Sequence, residues 1–138
     1  MLAMITDVLD FFAAFVYGNR KNREYFILKG GVSLSAKFID KKFPIFSRSP
    51  ALTKACFAVL GNMAETNDNK ILLWVVGAVP SMIDHVAACL KADPDPAGEQ
   101  IGSFEMALYS LWRASIDCED VQKELMRRGF LDSALTII

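Results

Sequence analysis

Two closely spaced aspartates are the strongest candidate for metal chemistry in this chain. Asp93, Asp95 and Gly98 are spaced like two carboxylate ligands and the turn glycine of a calcium-binding loop. Such a loop needs a bidentate glutamate at its twelfth position, where this chain has Phe104, and two prolines interrupt the ligand positions. We therefore predict that the segment does not bind calcium.

The remaining residues with reactive side chains lack the partners that catalysis requires. His85 is the single histidine, which rules out a histidine-rich zinc set, and we expect it at the surface or at a helix cap. Cys56 has only Lys54 as a nearby cation, which favours a buried, unreactive thiol. Gly30-Gly31 is not followed by the Lys-Ser/Thr pair of a phosphate loop. The sequence predicts no catalytic residue, no metal and no cofactor, and hence no enzyme.

Composition bounds the class of protein. The chain has 138 residues, of which 53% are hydrophobic and 22% are charged, as expected for one well-packed domain. Three widely spaced cysteines favour free thiols in a reducing compartment. The first residues lack the basic charges of a secretory signal, and the uncharged run 71–83 is too short to span a membrane. We expect a cytoplasmic protein, with a cytoskeletal or nuclear location as variants of this prediction.

Charge is distributed unevenly along the chain, although the net charge is only −1. Residues 18–54 contain nine basic and two acidic side chains, whereas residues 55–138 contain twelve acidic and six basic ones. This polarity would suit head-to-tail contact between copies or an elongated partner of mixed charge, with solvated helix faces as the simpler alternative. Nucleic acid is an unlikely partner, because the basic stretch 20–42 lacks a recognition motif with interleaved aromatic residues.

One local pattern occurs three times. The stretches 22–30, 69–77 and 121–129 each run eight residues from their start to a glycine, and a further apolar stretch follows. Glycine can end a helix in the left-handed conformation, and Pro80 shortly after Gly77 favours the start of another helix. No stretch shows sustained strand alternation. The pattern predicts an all-α protein built from internal repeats.

The helices expected from apolar spacing and breaker residues cover most of the chain. The segment Thr66-Asn-Asp68 is expected to cap the helix that starts near residue 69, and Trp74 and Trp112 are expected in the core. Loops are predicted around the prolines at 44–50 and 93–98. The predicted helices are 2–17, 22–28, 32–42, 51–65, 69–76, 80–92, 101–115, 117–128 and 131–138.

The stretch 58–80 resembles an armadillo repeat. It contains a helix ending in Leu-Gly-Asn-Met, a polar turn, a short apolar helix and Gly-Ala-Val-Pro, and residues 12–32 and 111–131 are less regular copies. The resemblance implies a right-handed α-solenoid of about three armadillo-like repeats, the first and last incomplete, forming a single domain over residues 1–138. The usual period is about 40–47 residues. The spacing of 47 from Gly30 to Gly77 reaches its upper end, and the spacing of 52 from Gly77 to Gly129 exceeds it. The repeats are expected at 1–19 (partial), 20–66, 67–117 and 118–138 (partial).

The resemblance also implies a concave groove lined by the long helices. Importin-like members of the family present a Trp and an Asn one turn apart in this groove, and the Asn holds the backbone of an extended peptide. Only Asn62 matches that asparagine here and no Trp matches, which argues against a receptor for nuclear-localisation signals. We expect the groove to be aromatic at both ends, basic at one position, and to bind an extended peptide or a helix of a protein partner. Its expected residues are Phe11, Phe15, Asn62, Tyr109 and Arg113.

The two ends of the predicted solenoid carry a second functional expectation. Terminal repeats need polar outer faces, whereas the first helix is apolar on most sides and the last unit lacks its long helix. We expect either a piece of a longer solenoid or a homo-oligomer formed through exposed terminal repeats. The alternative function is therefore structural: a self-assembling, cytoskeletal or centriolar–ciliary scaffold segment that acts through its ends.

Overall fold

The computed structural model describes residues 1–43, 49–92 and 99–136, and over these residues the protein is all helical. The prediction of an all-α fold is confirmed. The acidic segment at 93–98 and most of the loop at 44–50 lie outside the described residues. The helices are α1 (Leu2–Val16), α2 (Arg20–Leu28), α3 (Gly31–Phe38), α4 (Pro50–Met63), α5 (Asn67–Val75), α6 (Ala78–Ala92), α7 (Glu99–Ser115), α8 (Glu119–Arg127) and α9 (Phe130–Leu135).

The helix boundaries follow the local chemistry of the chain. Gly30, Gly77 and Gly129 have φ of 77°, 86° and 67°, so all three adopt the left-handed conformation predicted for them. Thr66 Oγ1 accepts a hydrogen bond from Asn69 N at 3.2 Å, which confirms the predicted cap, although α5 itself begins at Asn67.

Several predicted helix boundaries differ from those in the structure, and two of them have a clear local cause. Helix α6 begins at Ala78, directly after its glycine, so Pro80 lies within the first turn, where its missing amide still costs no hydrogen bond. Helix α3 ends at Phe38 rather than near residue 42. The Asp40 carboxylate accepts a hydrogen bond from Lys42 N at 2.8 Å, and this local turn competes with a further helical turn.

Three long helices form the centre of the fold. Helix α4 packs against α1 on one side and against α7 on the other. Each of the two later long helices also packs against the helix before it, so that α3 lies on α4 and α6 lies on α7. We refer to α2–α4 as the first unit, α5–α7 as the second unit and α8–α9 as the third unit.

Side-chain amides close the ends of two long helices in the same way. Asn22 Nδ2 donates to Phe15 O at 2.7 Å, and Gln122 Nε2 donates to Ser115 O at 2.8 Å. Each donor lies seven residues after its acceptor and satisfies a carbonyl that has no partner within its helix. Gln122, and not the buried Val121, is therefore the third-unit counterpart of Asn22.

A network of charges on α6 and α8 ties the units together. The Asp84 carboxylate contacts Lys41 Nζ at 3.3 Å and Arg128 Nη1 at 3.1 Å, so this residue of the second unit is paired with both neighbouring units. Glu124 receives hydrogen bonds from Arg127 and Arg128, and these lower the pKa of the Glu124 carboxyl to about 2. The nearly buried Glu124 thus holds Arg128 in place for its contact with Asp84.

Acid should weaken the protein through Glu124. A carboxyl whose pKa is lower in the folded state stabilises the fold above its ordinary pKa, near 4.5, and this stabilisation is lost as pH falls toward about 2. We expect Glu124→Gln to lower the melting temperature at neutral pH and to flatten its dependence on pH between those two values. Glu119→Gln, in an exposed pair with Lys123, is the matched control and should change the curve far less. Identical curves for the Glu124 variant and the parent protein would contradict this role.

Candidate protein-binding groove

The solvent-facing stripe of α4 forms the floor of the candidate groove. Nearly every other side of α4 is buried by α1, α3 and α7, and the residues left at least partly open recur every three or four positions. This spacing places them on one face of the helix. Apart from Pro50 at the start of the helix, they are Ala51, Lys54, Ala58 and Asn62.

Asn62 lies on the partly open face of α4. Its Nδ2 donates to Ala13 O of α1 at 2.9 Å, so the amide joins two long helices. An asparagine amide carries a second N–H and an oxygen acceptor. The Asn62 oxygen accepts no hydrogen bond from the described residues, which leaves it able to bind a ligand. Asn62 therefore combines a structural contact with spare hydrogen-bonding capacity.

The α7 side of the groove is aromatic, but it is not basic as expected. Arg113 Nη2 lies 3.1 Å from Glu65 Oε1, and this ion pair balances the charge of the arginine. The Tyr109 and Trp112 rings lie with their centroids 5.9 Å apart. Trp112 is 59% exposed, so its predicted place in the core is wrong, and sequence reasoning missed it as a surface ring.

A small recess lies between α4 and α7 and holds charges of both signs. Its volume is about 340 Å³, and Lys54, Glu105 and Tyr109 are among the residues that line it. Gly102 also lines it, and a Cβ atom there would lie 3.4 Å from Lys54 Cδ. Sequence reasoning missed Lys54 and Glu105 because only the packing of two distant helices brings them together. The recess adds a site for a polar or charged group beside Tyr109.

The opposite end of the groove is formed by α1. The Phe11 and Phe15 rings stack with centroids 5.9 Å apart, and Phe11 is 63% exposed. The structure therefore places two aromatic pairs on helices that flank α4. The five predicted residues lie on three adjacent helices, with Asn62 on the middle one.

A larger apolar cavity opens beside α1, and Phe15 lines it as well as the candidate groove. Its volume is about 560 Å³, and α1, α2 and α3 all contribute to its walls. Lys29 supplies the one charged side chain among the described residues that line it. The sequence signal for this cavity is the apolar character of α1 on most of its sides. The lining residues used below are Ile5, Val8, Leu9, Phe12 and Lys29.

Among the described residues, His85 and Cys89 form a cluster that resembles a nucleophile with its base. His85 Nε2 lies 3.2 Å from Ser103 Oγ and 3.6 Å from Cys89 Sγ, and the ring is half-buried against Phe57 rather than at the surface. Burial lowers the pKa of His85 and raises the pKa of Cys89. Both shifts favour the neutral thiol and neutral imidazole over the thiolate that a nucleophile requires. The contact between His85 and Ser103 joins α6 to α7.

Several basic side chains of the first half are engaged within the protein. Arg20 pairs with Glu24, Lys41 pairs with Asp84, and the buried Arg23 donates to Val16 O. Engaged cations are less available to phosphates, which weakens the case for a nucleic-acid surface. Within the described parts of the chain, no three metal-ligating side chains of His, Cys, Asp or Glu converge.

Comparisons of the chain with protein-family models, with curated proteins and with solved structures give no match. Across the described residues no single helix is long and apolar enough to cross a membrane, and one pair, α5 with α6, reaches the required length only around a 68° bend.

Proposed function

We propose that this protein is a short armadillo-like α-solenoid that serves as a non-catalytic protein-interaction module. The observation that carries the proposal is the open stripe of α4, which lies between two helices that each present an aromatic pair. A cytoplasmic scaffold that binds a segment of another protein accords with this surface. Extended segments bind such grooves through their backbone amides, and pockets for alternate side chains then add specificity.

Each part of the groove has a task in this proposal. The spare N–H and the oxygen of Asn62 pair with one peptide unit of the partner's backbone. The rings of Phe11 and Phe15 at one end, and of Tyr109 at the other, take apolar side chains. Aromatic rings supply large contact areas and lose little conformational entropy on binding. Lys54 and Glu105 would select a polar residue between the two apolar ones.

Selection from a displayed library of random short peptides tests this function. We expect the selected peptides to carry two separated apolar residues and to bind Asn62→Ala/Tyr109→Ala at least tenfold more weakly, a loss of about 1.4 kcal/mol or more. Because Asn62 also bonds to Ala13, the double variant should lose about 1 kcal/mol of stability and keep its helicity.

The control for this experiment is Val75→Ala, which changes an exposed apolar residue of α5 outside the groove and should leave peptide affinity unchanged. Tyr109→Ala alone keeps the contact between α1 and α4, so it separates lost binding from lost stability. Peptides that bind the parent protein and the double variant equally well would refute the groove.

A further inference from the structure

The second helix of each unit repeats the same apolar positions. Counted from the glycine before it, residues two and six positions later are apolar in all three units. In α3 and α6 these residues are buried against the long helix that follows. In α9 they are Leu131 and Leu135, which are 53% and 66% exposed. Their buried counterparts are Val32 and Ala36 in α3, and Val79 and Ile83 in α6.

Helix α1 presents the complementary face. Residues of α1 and α4 correspond at a distance of 47 positions, the spacing between the first two glycines. At this spacing four cavity residues of α1 correspond to four completely or almost completely buried residues of α4. Helix α3 packs on α4, whereas α1 has no such helix among its main contacts. The corresponding pairs are Ile5 and Leu52, Val8 and Ala55, Leu9 and Cys56, and Phe12 and Val59.

We propose that the protein assembles head to tail, with α9 of one copy packed against α1 of the next. The short helix α9 then contacts a long helix, as α3 and α6 already do within the chain. The apolar cavity beside α1 is the receiving site for Leu131 and Leu135. This proposal does not rest on the peptide-binding groove, although Phe15 lines both the groove and the cavity.

The charge distribution favours the same orientation. The basic first half of one copy would meet the acidic second half of another, and opposite charges steer such contacts. Inside the chain, Asp84 pairs with Arg128. Asp84 lies seven residues after Gly77, and Arg128 lies directly before the next repeat glycine, Gly129. The corresponding positions at the proposed interface are Thr136 and the cavity residue Lys29 of the next copy. The proposed register therefore places Thr136 beside a lysine.

An interface of this type joins two different surfaces. Repetition of such a contact generates an open chain of copies, or a ring if the rotation closes. A symmetric dimer, in which α1 packs against α1, would instead use one surface twice. The two arrangements respond differently to variants that damage only one end.

Sedimentation velocity on the full chain across a range of concentrations tests the proposal. We expect the parent protein to form species larger than a dimer as its concentration rises, and salt should weaken this association. Thr136→Asp should lower the dissociation constant at least threefold. Val8→Glu and Leu135→Glu each place a charge on one of the two faces, so each should be monomeric alone. An equimolar mixture of these two variants retains one intact pair of faces, and we expect it to form a 1:1 heterodimer and nothing larger.

Val75→Glu is the matched control, because it adds the same charge at an apolar, exposed position outside both faces and should assemble like the parent protein. Circular dichroism should show unchanged helicity for every variant. A parent protein that stays monomeric up to about 1 mM would overturn the proposal, and the faces would then belong to a different partner. If Leu135→Glu still dimerises while Val8→Glu does not, the contact is symmetric and the proposal is also wrong.

Discussion

Replacing Gly61 with alanine should destabilise the protein by about 2–3 kcal/mol, although alanine is the better helix former. A Cβ atom at Gly61 would lie 2.6 Å from Ser110 Oγ, 3.1 Å from Ser110 Cβ and 3.2 Å from Ser110 Cα. The Ser110 hydroxyl is held by its hydrogen bond to Phe57 O, at 2.7 Å, and the backbone cannot withdraw without moving α7. The two central helices would have to separate, and the packing along their whole contact would loosen.

Gly102→Ala is the control for this prediction, because it lies on the same helix pair. The nearest atom to its added Cβ is Lys54 Cδ at 3.4 Å, on a flexible side chain. We expect no loss of stability there, and a gain of up to about 1 kcal/mol from helix propensity. Urea unfolding followed by circular dichroism measures both variants. The cost of Gly61→Ala should be smaller in a Ser110→Ala background, and equal costs in both backgrounds would show that this contact is not the cause.

Replacing Phe57 with alanine should cost about 3–5 kcal/mol, the largest effect that we expect from a single truncation. Phe57 is the largest completely buried side chain of the described core, and it lies on α4, which contacts both of the other long helices. Its ring also lies at an angle to His85, with centroids 5.0 Å apart. Truncation therefore loses apolar burial and leaves a cavity where α4, α6 and α7 meet.

Phe57→Leu separates the cavity from the loss of the ring. Leucine refills most of the volume, so we expect a cost of about 1–1.5 kcal/mol, measured by the same urea unfolding. Phe15→Ala truncates a half-buried ring at the edge of the fold. We expect its cost in stability to lie between those of Phe57→Leu and Phe57→Ala. A loss below about 1 kcal/mol for Phe57→Ala would mean that neighbouring helices collapse into the space, and that α4 is not the rigid centre described here.

The features that could be predicted from the sequence are those that depend on residues close together in the sequence. The left-handed glycines and the Thr66 cap are local, because the backbone conformation or hydrogen bond of each involves only a few successive residues. The all-α class follows from the same local signals. Helix ends were less accurate, as the early end of α3 at Phe38 shows, because a short polar turn competes with helix at small cost.

Features that depend on distant residues could not be predicted in the same way. The Gly61–Ser110 approach and the Arg113–Glu65 pair each join residues 48 or more positions apart. Spacing along one helix carries no information on which side chain of another helix it will meet. Trp112 was wrongly predicted to be buried for a related reason. A large apolar ring is expected in the core unless the positions of the neighbouring helices are known. The five groove residues were placed by resemblance, and the partner they would bind remains a prediction.

In the proposed solenoid, we expect Asp84 to couple the curvature of the helix stack to the ionic strength of the solution. Its carboxylate holds one cation from the first unit and one from the third, on the short-helix side of the molecule. Bending that spreads this side apart must break one of these contacts, while bending in the other direction need not. Partly exposed ion pairs contribute at most about 1 kcal/mol each and weaken in salt, so they resist this bending without preventing it. In the proposed solenoid, we therefore expect ionic strength to adjust the width of the groove without any change to the residues that line it.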